Sequence, residues 1–227
     1  MKKKEKYVFV DFCDTLVKMQ TADEYIKFCI KDSKWSGFKL FIIRVIRNGR
    51  LTRLLNRLFP FYKSPKPIIL NMFGKGLSRG FLEHNAREFS KYLESEYEID
   101  IIINEILEKK QKGYKVILVS GGYSIYLKEF RKGLFDEVIA TEIELVNDVS
   151  SGRLKGLDCL GENKIEKVFS RINKELIDYE NSYVYSDSIT DLPLFSLAKN
   201  KVVISKNKPQ HWPKINWKEY EERIIIY

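Results

Sequence analysis

The sequence predicts an α/β fold in which helices cover both faces of a parallel sheet and a long helical segment follows the first strand. Two observations lead to this prediction. The second half of the chain alternates short β-branched or aromatic stretches with helical patterns, as parallel βαβ units do. Residues 21–97 instead have helical character throughout and carry many basic side chains. With 227 residues, 44% of them hydrophobic, the chain is long enough to bury a real core.

The elements follow one another along the chain. Residues 7–12 predict a buried strand, and the helical stretch comes next. Within it, residues 50–59 place leucines on one side and arginines on the other, and the prolines of FPFYKSPKP end that amphipathic helix. The remaining predictions are a helix at 99–112, a strand at 115–120, a helix at 123–132, a strand at 137–141, a helix at 163–173, a strand at 182–187, a helix at 192–198, a strand at 201–205, and an aromatic-rich tail from Trp212 that packs on the core.

The positive charge is concentrated in the long helical segment that follows the first predicted strand. Residues 33–82 contain eleven Lys or Arg and no Asp or Glu, and residues 20–94 carry fifteen basic minus six acidic residues, or +9, the formal net charge of the whole chain. Such a block indicates a surface that faces an anion, such as a phosphorylated substrate or an anionic lipid membrane, although a merely solvated basic face is the simpler alternative. We do not expect nucleic-acid binding, because no recognised nucleic-acid motif accompanies the charge.

The cysteines and the apolar runs predict a cytoplasmic protein. Cys13, Cys29 and Cys159 are too few and too far apart for a disulfide framework, which favours a reducing compartment. Asp11 and Asp14 interrupt the first apolar run before it reaches the length of a signal peptide. No later apolar run approaches the length of a membrane span.

Polar or glycine-rich stretches follow the predicted strands. They are DFCDT at 11–15, SGGYS at 120–124, the loop that leads to Lys164, and DSITDLPL at 187–194. Because the carboxyl ends of parallel strands meet at one edge of a sheet, Asp11 and Asp187 are expected to lie close together there. Two neighbouring carboxylates need a cation, and Mg²⁺ prefers oxygen ligands.

The same edge of the sheet is predicted to bind an anion. Ser120 offers a hydroxyl, and the amides of Gly121 and Gly122 are expected at the start of a helix, where backbone N–H groups bind phosphate. Lys164, at the start of another predicted helix, adds a positive charge. Ser120 alone would more often be a helix cap, so the prediction depends on the group as a whole.

With these four motifs in this order, the sequence resembles the haloacid dehalogenase superfamily, and within it the phosphoserine phosphatase-like branch, subclass IB. The resemblance implies a Rossmann-like core with an inserted α-helical cap, the core comprising residues 1–19 and 95–227 and the cap residues 20–94. It further implies a phosphatase with Asp11 as the nucleophile that forms an aspartyl-phosphate. The implied Mg²⁺ ligands are Asp11, the backbone carbonyl of Cys13, Asp187 and, through water or a hydrogen bond, Asp191. The implied phosphate-binding groups are Ser120, the Gly121 amide and Lys164.

Cys13 departs from the family pattern. Family phosphatases carry a second aspartate at this position, which protonates the leaving oxygen and then activates water. A thiol, with an ordinary pKa of about 8.5, is a weak hydrogen-bond donor and is mostly protonated at neutral pH. Three interpretations remain open: a slow phosphatase, a substrate with a good leaving group, or catalysis by Asp14, which stands where the family usually has Gly or Ser and is expected in an extended segment. An inert Cys13 would instead describe a catalytically weak phosphate-binding module that docks to a membrane or partner through its basic cap.

Gln20 is a second departure. Phosphoserine phosphatases have a glutamate at this position that binds the amine of the substrate, and the neutral amide argues against free phosphoserine. The basic cap favours a more anionic or larger substrate, such as an anionic phosphorylated metabolite, a sugar phosphate or a phospholipid head group.

Overall fold

The computed structural model describes residues 4–47 and 65–226. Within these residues, seven strands form one sheet in the order β4-β3-β2-β1-β5-β6-β7. The strands are β1 (Tyr7–Val10), β2 (Lys115–Tyr123), β3 (Glu137–Val146), β4 (Val149–Lys155), β5 (Tyr183–Ser186), β6 (Asn200–Lys206) and β7 (Glu221–Ile225). The helices are α1 (Thr21–Ile30), α2 (Ser36–Arg47), α3 (Lys66–Ile69), α4 (Arg79–Glu96), α5 (Asp100–Gln111), α6 (Ser124–Leu127), α7 (Glu162–Phe169), α8 (Leu192–Phe195) and α9 (Trp212–Asn216).

The centre of the sheet is parallel and buried. All four residues of β1 are buried, and the strand pairs in parallel with β2 on one side and β5 on the other. A strand covered on both faces is a continuous apolar run, as YVFV is, because neither face meets water. The predicted α/β fold with a Rossmann-like core is therefore confirmed, and β1 lies at its centre.

One edge of the sheet differs from the prediction. The strand predicted at 137–141 continues to Val146 and turns back as β4, which runs antiparallel to β3. The turn is made by Asn147 and Asp148, which have positive φ angles of 47° and 62°, as a tight hairpin turn requires. The opposite edge gains β7, which pairs in parallel with β6, so the tail forms a short helix and an edge strand.

The inserted segment is helical in its described parts. It forms α1, α2, α3, a π-helical turn at Leu70–Gly74 and most of α4. Tyr25 of α1 donates a hydrogen bond from its hydroxyl to the Leu82 carbonyl at 2.7 Å, which ties the first of these helices to the last. The amphipathic helix predicted at 50–59, with Arg50, Arg53 and Arg57, lies outside the described residues. The boundaries between cap and core stay a prediction.

The β3–β4 hairpin holds one end of this segment. The Ser150 amide donates to the Leu77 carbonyl at 2.8 Å, and the Gly76 amide donates to the Ser150 carbonyl at 2.9 Å. Gly152, with a φ of 79°, allows the close approach, since a Cβ there would lie 2.8 Å from the Cβ of Lys75. An unpredicted hairpin thus fixes the position of α3 and the turn after it.

The helix predicted at 123–132 is much shorter than expected. Strand β2 continues through Gly121 and Gly122 to Tyr123, and only Ser124–Leu127 is helical. The prediction that the two glycines begin a helix is therefore wrong, because the sheet pairing of Tyr123 with Thr141 takes up this stretch. Among the described helices, none is long and apolar enough to cross a membrane.

Candidate active site

The carboxyl ends of β1, β2 and β5 meet around a cavity of about 300 Å³. The cavity does not have Asp14, the alternative catalytic acid, among its lining residues, but it brings together eight residues that the sequence predicts for the site: Asp11, Cys13, Gln20, Ser120, Gly121, Lys164, Asp187 and Asp191. They converge because β1 lies between β2 and β5, so that loops from three neighbouring strands share one edge. The individual roles of these residues stay predictions.

A buried charge network forms the floor of the cavity. The Lys164 ammonium lies 2.7 Å from Asp11 Oδ1 and 2.7 Å from Asp191 Oδ2, and all three side chains are less than a tenth exposed. Ser186 Oγ donates a further hydrogen bond to Asp191 Oδ2 at 2.6 Å. One cation between two carboxylates leaves the trio with one net negative charge in a site of low dielectric. The position of Asp11 at the end of β1 is therefore fixed by both strand and ion pair.

Burial and neighbouring charges shift the pKa values of Asp11 and Lys164. Burial raises the pKa of Asp11 to about 6, although the nearby Lys164 ammonium opposes that rise. For Lys164, burial alone would lower the pKa, but Asp11 and Asp191 outweigh it, so the net shift is upward and the amine stays charged. The lysine is thus a permanent cation beside the predicted nucleophile.

Asp187 lies at the end of β5 on the same side of the cavity. Its backbone amide donates to Thr15 Oγ1 at 3.1 Å, and its backbone carbonyl accepts from Gln210 Nε2 at 2.8 Å. Burial, followed by repulsion from Asp11, Asp14 and Asp191, raises the pKa of Asp187 to about 8. Several acids are thus crowded at this end of the cavity, beside the buried Lys164.

The donor set fits a magnesium ion. Within residues 4–47 and 65–226, no three His, Cys, Asp or Glu side chains are grouped closely enough to hold a metal ion by themselves. Mg²⁺ is commonly bound by one or two carboxylates together with waters and substrate phosphate, so it does not need such a group. Asp11 and Asp187 offer carboxylate oxygens, the kind of ligand that Mg²⁺ prefers, and their crowding would be relieved by a cation. Asp191 Oδ2 is already held by Lys164 and Ser186.

The stretch at 120–122, which is predicted to bind phosphate, is shaped by close packing. A Cβ at Gly121 would lie 2.5 Å from a methyl carbon of Leu160, and one at Gly122 would lie 2.3 Å from the Tyr126 hydroxyl. Only glycine fits at either position without displacing a neighbour. The Gly122 amide donates to Ser120 Oγ at 3.1 Å, so it is engaged within the loop rather than free for an anion as expected. Ser120 is buried, and its hydroxyl proton remains a donor toward the cavity.

Cys13 lines the cavity with a protonated thiol. Its sulfur lies 3.2 Å from Thr21 Oγ1 and accepts a hydrogen bond from the Thr21 amide at 3.4 Å. Burial, together with the Asp11 charge, raises the pKa of Cys13 to about 12. The thiol therefore supplies no base at neutral pH and is a poor proton donor.

Asp14 occupies a turn rather than the extended segment expected from the sequence. Its φ is 53°, in the left-handed region, and its amide donates to the Val17 carbonyl at 2.8 Å. Aspartate tolerates this conformation better than most residues, and glycine tolerates it best. Gln20 Nε2 donates to Asp14 Oδ2 at 2.6 Å. Gln20, which is predicted to lie at the substrate site, thus orients Asp14, the alternative proton donor.

Comparison with known proteins identifies the family. The family model for haloacid dehalogenase-like hydrolases matches residues 8–196. The chain belongs to the haloacid dehalogenase-like hydrolases. The phosphoserine phosphatase of Methanocaldococcus jannaschii is 24% identical over 206 residues, which span 89% of this chain and 86% of that protein. The phosphoserine phosphatase of Archaeoglobus fulgidus is 34% identical over 83 residues, 36% of this chain and only 24% of the length of that protein.

A solved structure shows the same fold. A protein with unknown function from Bordetella pertussis Tohama I superposes with a TM-score of 0.77 at 17% identity and covers 97% of this chain and 98% of its own. Together, the family match and the relatives confirm the predicted resemblance to the phosphoserine phosphatase-like branch and the prediction of an enzyme of the phosphatase type. Each of the four motifs that carry the resemblance contributes residues to the cavity described above.

Lys66 is a cavity residue that the sequence analysis counted only as part of the basic block. It is 6% exposed, and its ammonium donates to the Gly121 carbonyl at 2.6 Å and to Asp158. Asp158 also accepts from Thr141 Oγ1 at 2.7 Å. Lys66 thereby joins α3 to the end of β2 at Gly121. Nothing in its local sequence distinguishes it from the other lysines of the segment.

Asp23 and Arg47 form the other wall of the cavity. Arg47 Nε lies 3.3 Å from Asp23 Oδ2, and Arg47 is also 3.4 Å from Glu24 Oε1. Among the described residues, the buried polar side-chain atoms without a hydrogen-bond partner are Asp23 Oδ1 and the Tyr123 hydroxyl. Burial raises the pKa of Asp23 against the opposing charges of Arg47 and Lys66. Sequence reasoning missed Asp23 because an acid inside a basic block shows no motif.

Proposed function

We propose that this haloacid dehalogenase-like hydrolase is a Mg²⁺-dependent phosphomonoester hydrolase that acts through an aspartyl-phosphate on Asp11. The observation that carries the proposal is the Asp11 carboxylate, buried at the end of the central strand, paired with Lys164 at 2.7 Å and facing the cavity that Ser120 and Gly121 line. The family match and the phosphoserine phosphatase relatives support phosphate ester hydrolysis.

The chemistry has two displacements at phosphorus. In the first, a carboxylate oxygen of Asp11 attacks phosphorus, the bond to the ester oxygen breaks, and the leaving oxygen takes up a proton. In the second, water attacks the aspartyl-phosphate, releases inorganic phosphate and regenerates the carboxylate. Lys164 offers its charge to the phosphoryl oxygens while holding Asp11, and the Ser120 hydroxyl donates to the same oxygens.

Magnesium fits the oxygen-rich end of the cavity. Asp11, Asp187 and the Cys13 carbonyl would hold it, with Asp191 fixed behind them by Lys164 and Ser186. When bound, the ion neutralises negative charge on the phosphoryl group so that an anionic nucleophile can approach it.

Proton transfer is where this chain departs from its relatives. With its pKa raised to about 12, the Cys13 thiol is a poor replacement for a catalytic carboxylic acid. Substrates whose leaving group departs without a proton are therefore expected to react fastest. Asp14, held by Gln20, is the alternative proton donor, and the slow-phosphatase interpretation applies if neither residue delivers the proton.

The substrate class follows from the cap. Gln20 is neutral and residues 20–94 carry a net charge of +9, which supports an anionic phosphorylated metabolite, a sugar phosphate or a phospholipid head group rather than free phosphoserine. We assign residues 20–94 to this cap and residues 1–19 and 95–227 to the core. The free state of Cys13, Cys29 and Cys159 supports a cytoplasmic location.

A catalytically weak phosphate-binding module is the alternative, and the family match favours catalysis over it. The test is a phosphate-release screen of the purified protein against phosphorylated metabolites, with Mg²⁺ and with a chelator. We expect Mg²⁺-dependent release by the wild type and by Asp148→Asn, an exposed control, but not by Asp11→Asn. Equal release by Asp11→Asn, or no release from any substrate by the wild type, would contradict the proposal.

A further inference from the structure

We propose that the outer face of α2 docks on an anionic lipid bilayer. Three large aromatic side chains stand exposed there: Trp35 is 71% exposed, Phe38 is 61% and Phe41 is 61%. Single exposed apolar residues are ordinary on protein surfaces, but three exposed aromatic rings within seven residues, in one helix and the turn before it, are not. This surface, Trp35, Phe38 and Phe41, is called the aromatic face below.

Helical geometry places two of these rings together. Phe38 and Phe41 are three residues apart and therefore neighbours on one side of α2, and Trp35 lies in the turn immediately before the helix. Ile43 and Ile46 are the buried residues of the helix and pack into the core on its other side. Trp35 has a φ of 65°, a conformation that costs a bulky residue energy, and its carbonyl accepts from the Lys39 amide at 3.0 Å. The helix thus has one apolar side packed in the core and a second, aromatic side that faces water.

The charges around the aromatic face are predominantly positive. Lys34 and Arg44 are exposed on either side of it, and α2 itself contains no acidic residue. The nearest acids along the chain are Asp32, which is exposed, and Glu24, which is paired with Lys27 and Arg47. Aromatic rings between basic side chains match the interface of an anionic bilayer, where rings lie at head-group level and each Lys or Arg is attracted to lipid phosphate.

Charge also argues that the aromatic face does not bind a second copy of this chain. In a two-fold symmetric dimer the same surface meets itself, so the Lys34 and Arg44 side chains of the two copies would face each other across the contact. A bilayer rich in anionic lipid is instead attracted to the same basic side chains. The inference does not depend on the proposed reaction, although α2 ends at Arg47, which lines the cavity, so a docked α2 would place the cavity beside the lipid surface.

The experiment is cosedimentation of the full chain with vesicles of phosphatidylcholine that contain phosphatidylglycerol, and with vesicles of phosphatidylcholine alone. We expect binding to the first vesicles, weak binding to the second, and loss of binding as salt is raised. The triple variant Trp35→Ser, Phe38→Ser, Phe41→Ser should lose at least about tenfold in vesicle partition, because three buried rings are removed. The pair Lys34→Gln, Arg44→Gln should also lose about tenfold.

A matched control removes three equally exposed apolar side chains elsewhere. Ile101, Ile215 and Ile226 are 55%, 73% and 82% exposed, and their triple change to Ser should leave vesicle binding unchanged. Retained circular dichroism and unchanged turnover of a soluble aryl phosphate show that the aromatic variant is folded. Absent binding by the wild type, equal binding by the aromatic variant, or a wild-type dimer that the aromatic variant converts to a monomer would each overturn the proposal.

Discussion

Lys164 on the core wall of the cavity and Arg47 on its cap wall differ in how firmly their charges are held, although Lys66, also on the cap wall, is itself buried. On the core wall, Lys164 is 2% exposed and bonded to two carboxylates that are themselves buried. On the cap wall, the Arg47 side chain is 36% exposed and its contacts with Asp23 and Glu24 are longer, at 3.3 and 3.4 Å. Water and salt screen the electric field of an exposed charge more than that of a buried one. The core wall is therefore suited to chemistry, and the cap wall to attracting and selecting the substrate.

Removing Lys164 should have the largest effect. Lys164→Met leaves Asp11 and Asp191 buried without a cation, which should lower the free energy of unfolding by about 3–5 kcal/mol. The loss of a positive charge beside the phosphoryl group should also lower kcat by about 10³-fold. Chemical denaturation and steady-state kinetics measure both. Lys167→Met, on the same helix with its ammonium on the Ala140 carbonyl, is the control that should keep kcat. A near-normal kcat in Lys164→Met would remove the lysine from the site.

Restoring the family residue at Cys13 should have the next largest effect. Cys13→Asp supplies a carboxylic acid, so we expect kcat on an alkyl phosphate to rise by about 10²-fold, while kcat on nitrophenyl phosphate, whose leaving group needs no proton, changes little. The ratio of the two rates is the measurement. A wild type that hydrolyses both substrates equally well, with Cys13→Ala unchanged, would point to Asp14 as the proton donor.

On the cap wall, Arg47→Gln should act on binding alone. Because the guanidinium is partly exposed and shared with two acids, we expect KM for an anionic substrate to rise about two- to fivefold, with kcat unchanged. The effect should shrink at high salt. A large fall in kcat would show that the cap wall takes part in the chemistry, and the comparison between the two walls would fail.

The smallest expected effect is on stability, at Asp23. Burial disfavours the charged form of its carboxyl and raises its pKa, so Asp23→Asn, which removes the charge, should raise the free energy of unfolding by about 1 kcal/mol at neutral pH. A carboxyl whose pKa is higher in the folded than in the unfolded state loses stability as pH rises through the folded value. The gain from asparagine should therefore grow with pH and fade in acid. Denaturation curves at acid and neutral pH measure it, and a gain that is larger in acid would contradict this account.

Sequence reasoning located the core wall because its signals are local. Asp11, Ser120 and Asp187 each follow or end a strand whose apolar pattern is evident, and the topology of a parallel sheet brings strand ends together. The cap wall and the β3–β4 hairpin depend on contacts between distant residues. Lys66, for example, meets Asp158 across 92 positions of sequence, and no local pattern encodes that contact.

The loop after β1 shows the same limit on a smaller scale. The sequence shows that Cys13 replaces an aspartate, but not that Thr21 contacts its sulfur or that burial raises the pKa of the thiol. Asp14 was expected in an extended segment, and the hydrogen bond from its amide to Val17 closes a turn instead. The identity of these residues was predictable, whereas their environment required the packed fold.

The most direct test of this account is to locate the phosphoryl group during turnover. Wild-type protein is mixed with an aryl phosphate and Mg²⁺, quenched in acid and digested, and the peptides are analysed by mass spectrometry. We predict one added phosphoryl group on the peptide that contains Asp11, present in Lys167→Met and absent from Asp11→Asn. A phosphoryl group on another residue, or active Asp11→Asn protein, would contradict the claim that the buried carboxylate on the core wall performs the chemistry.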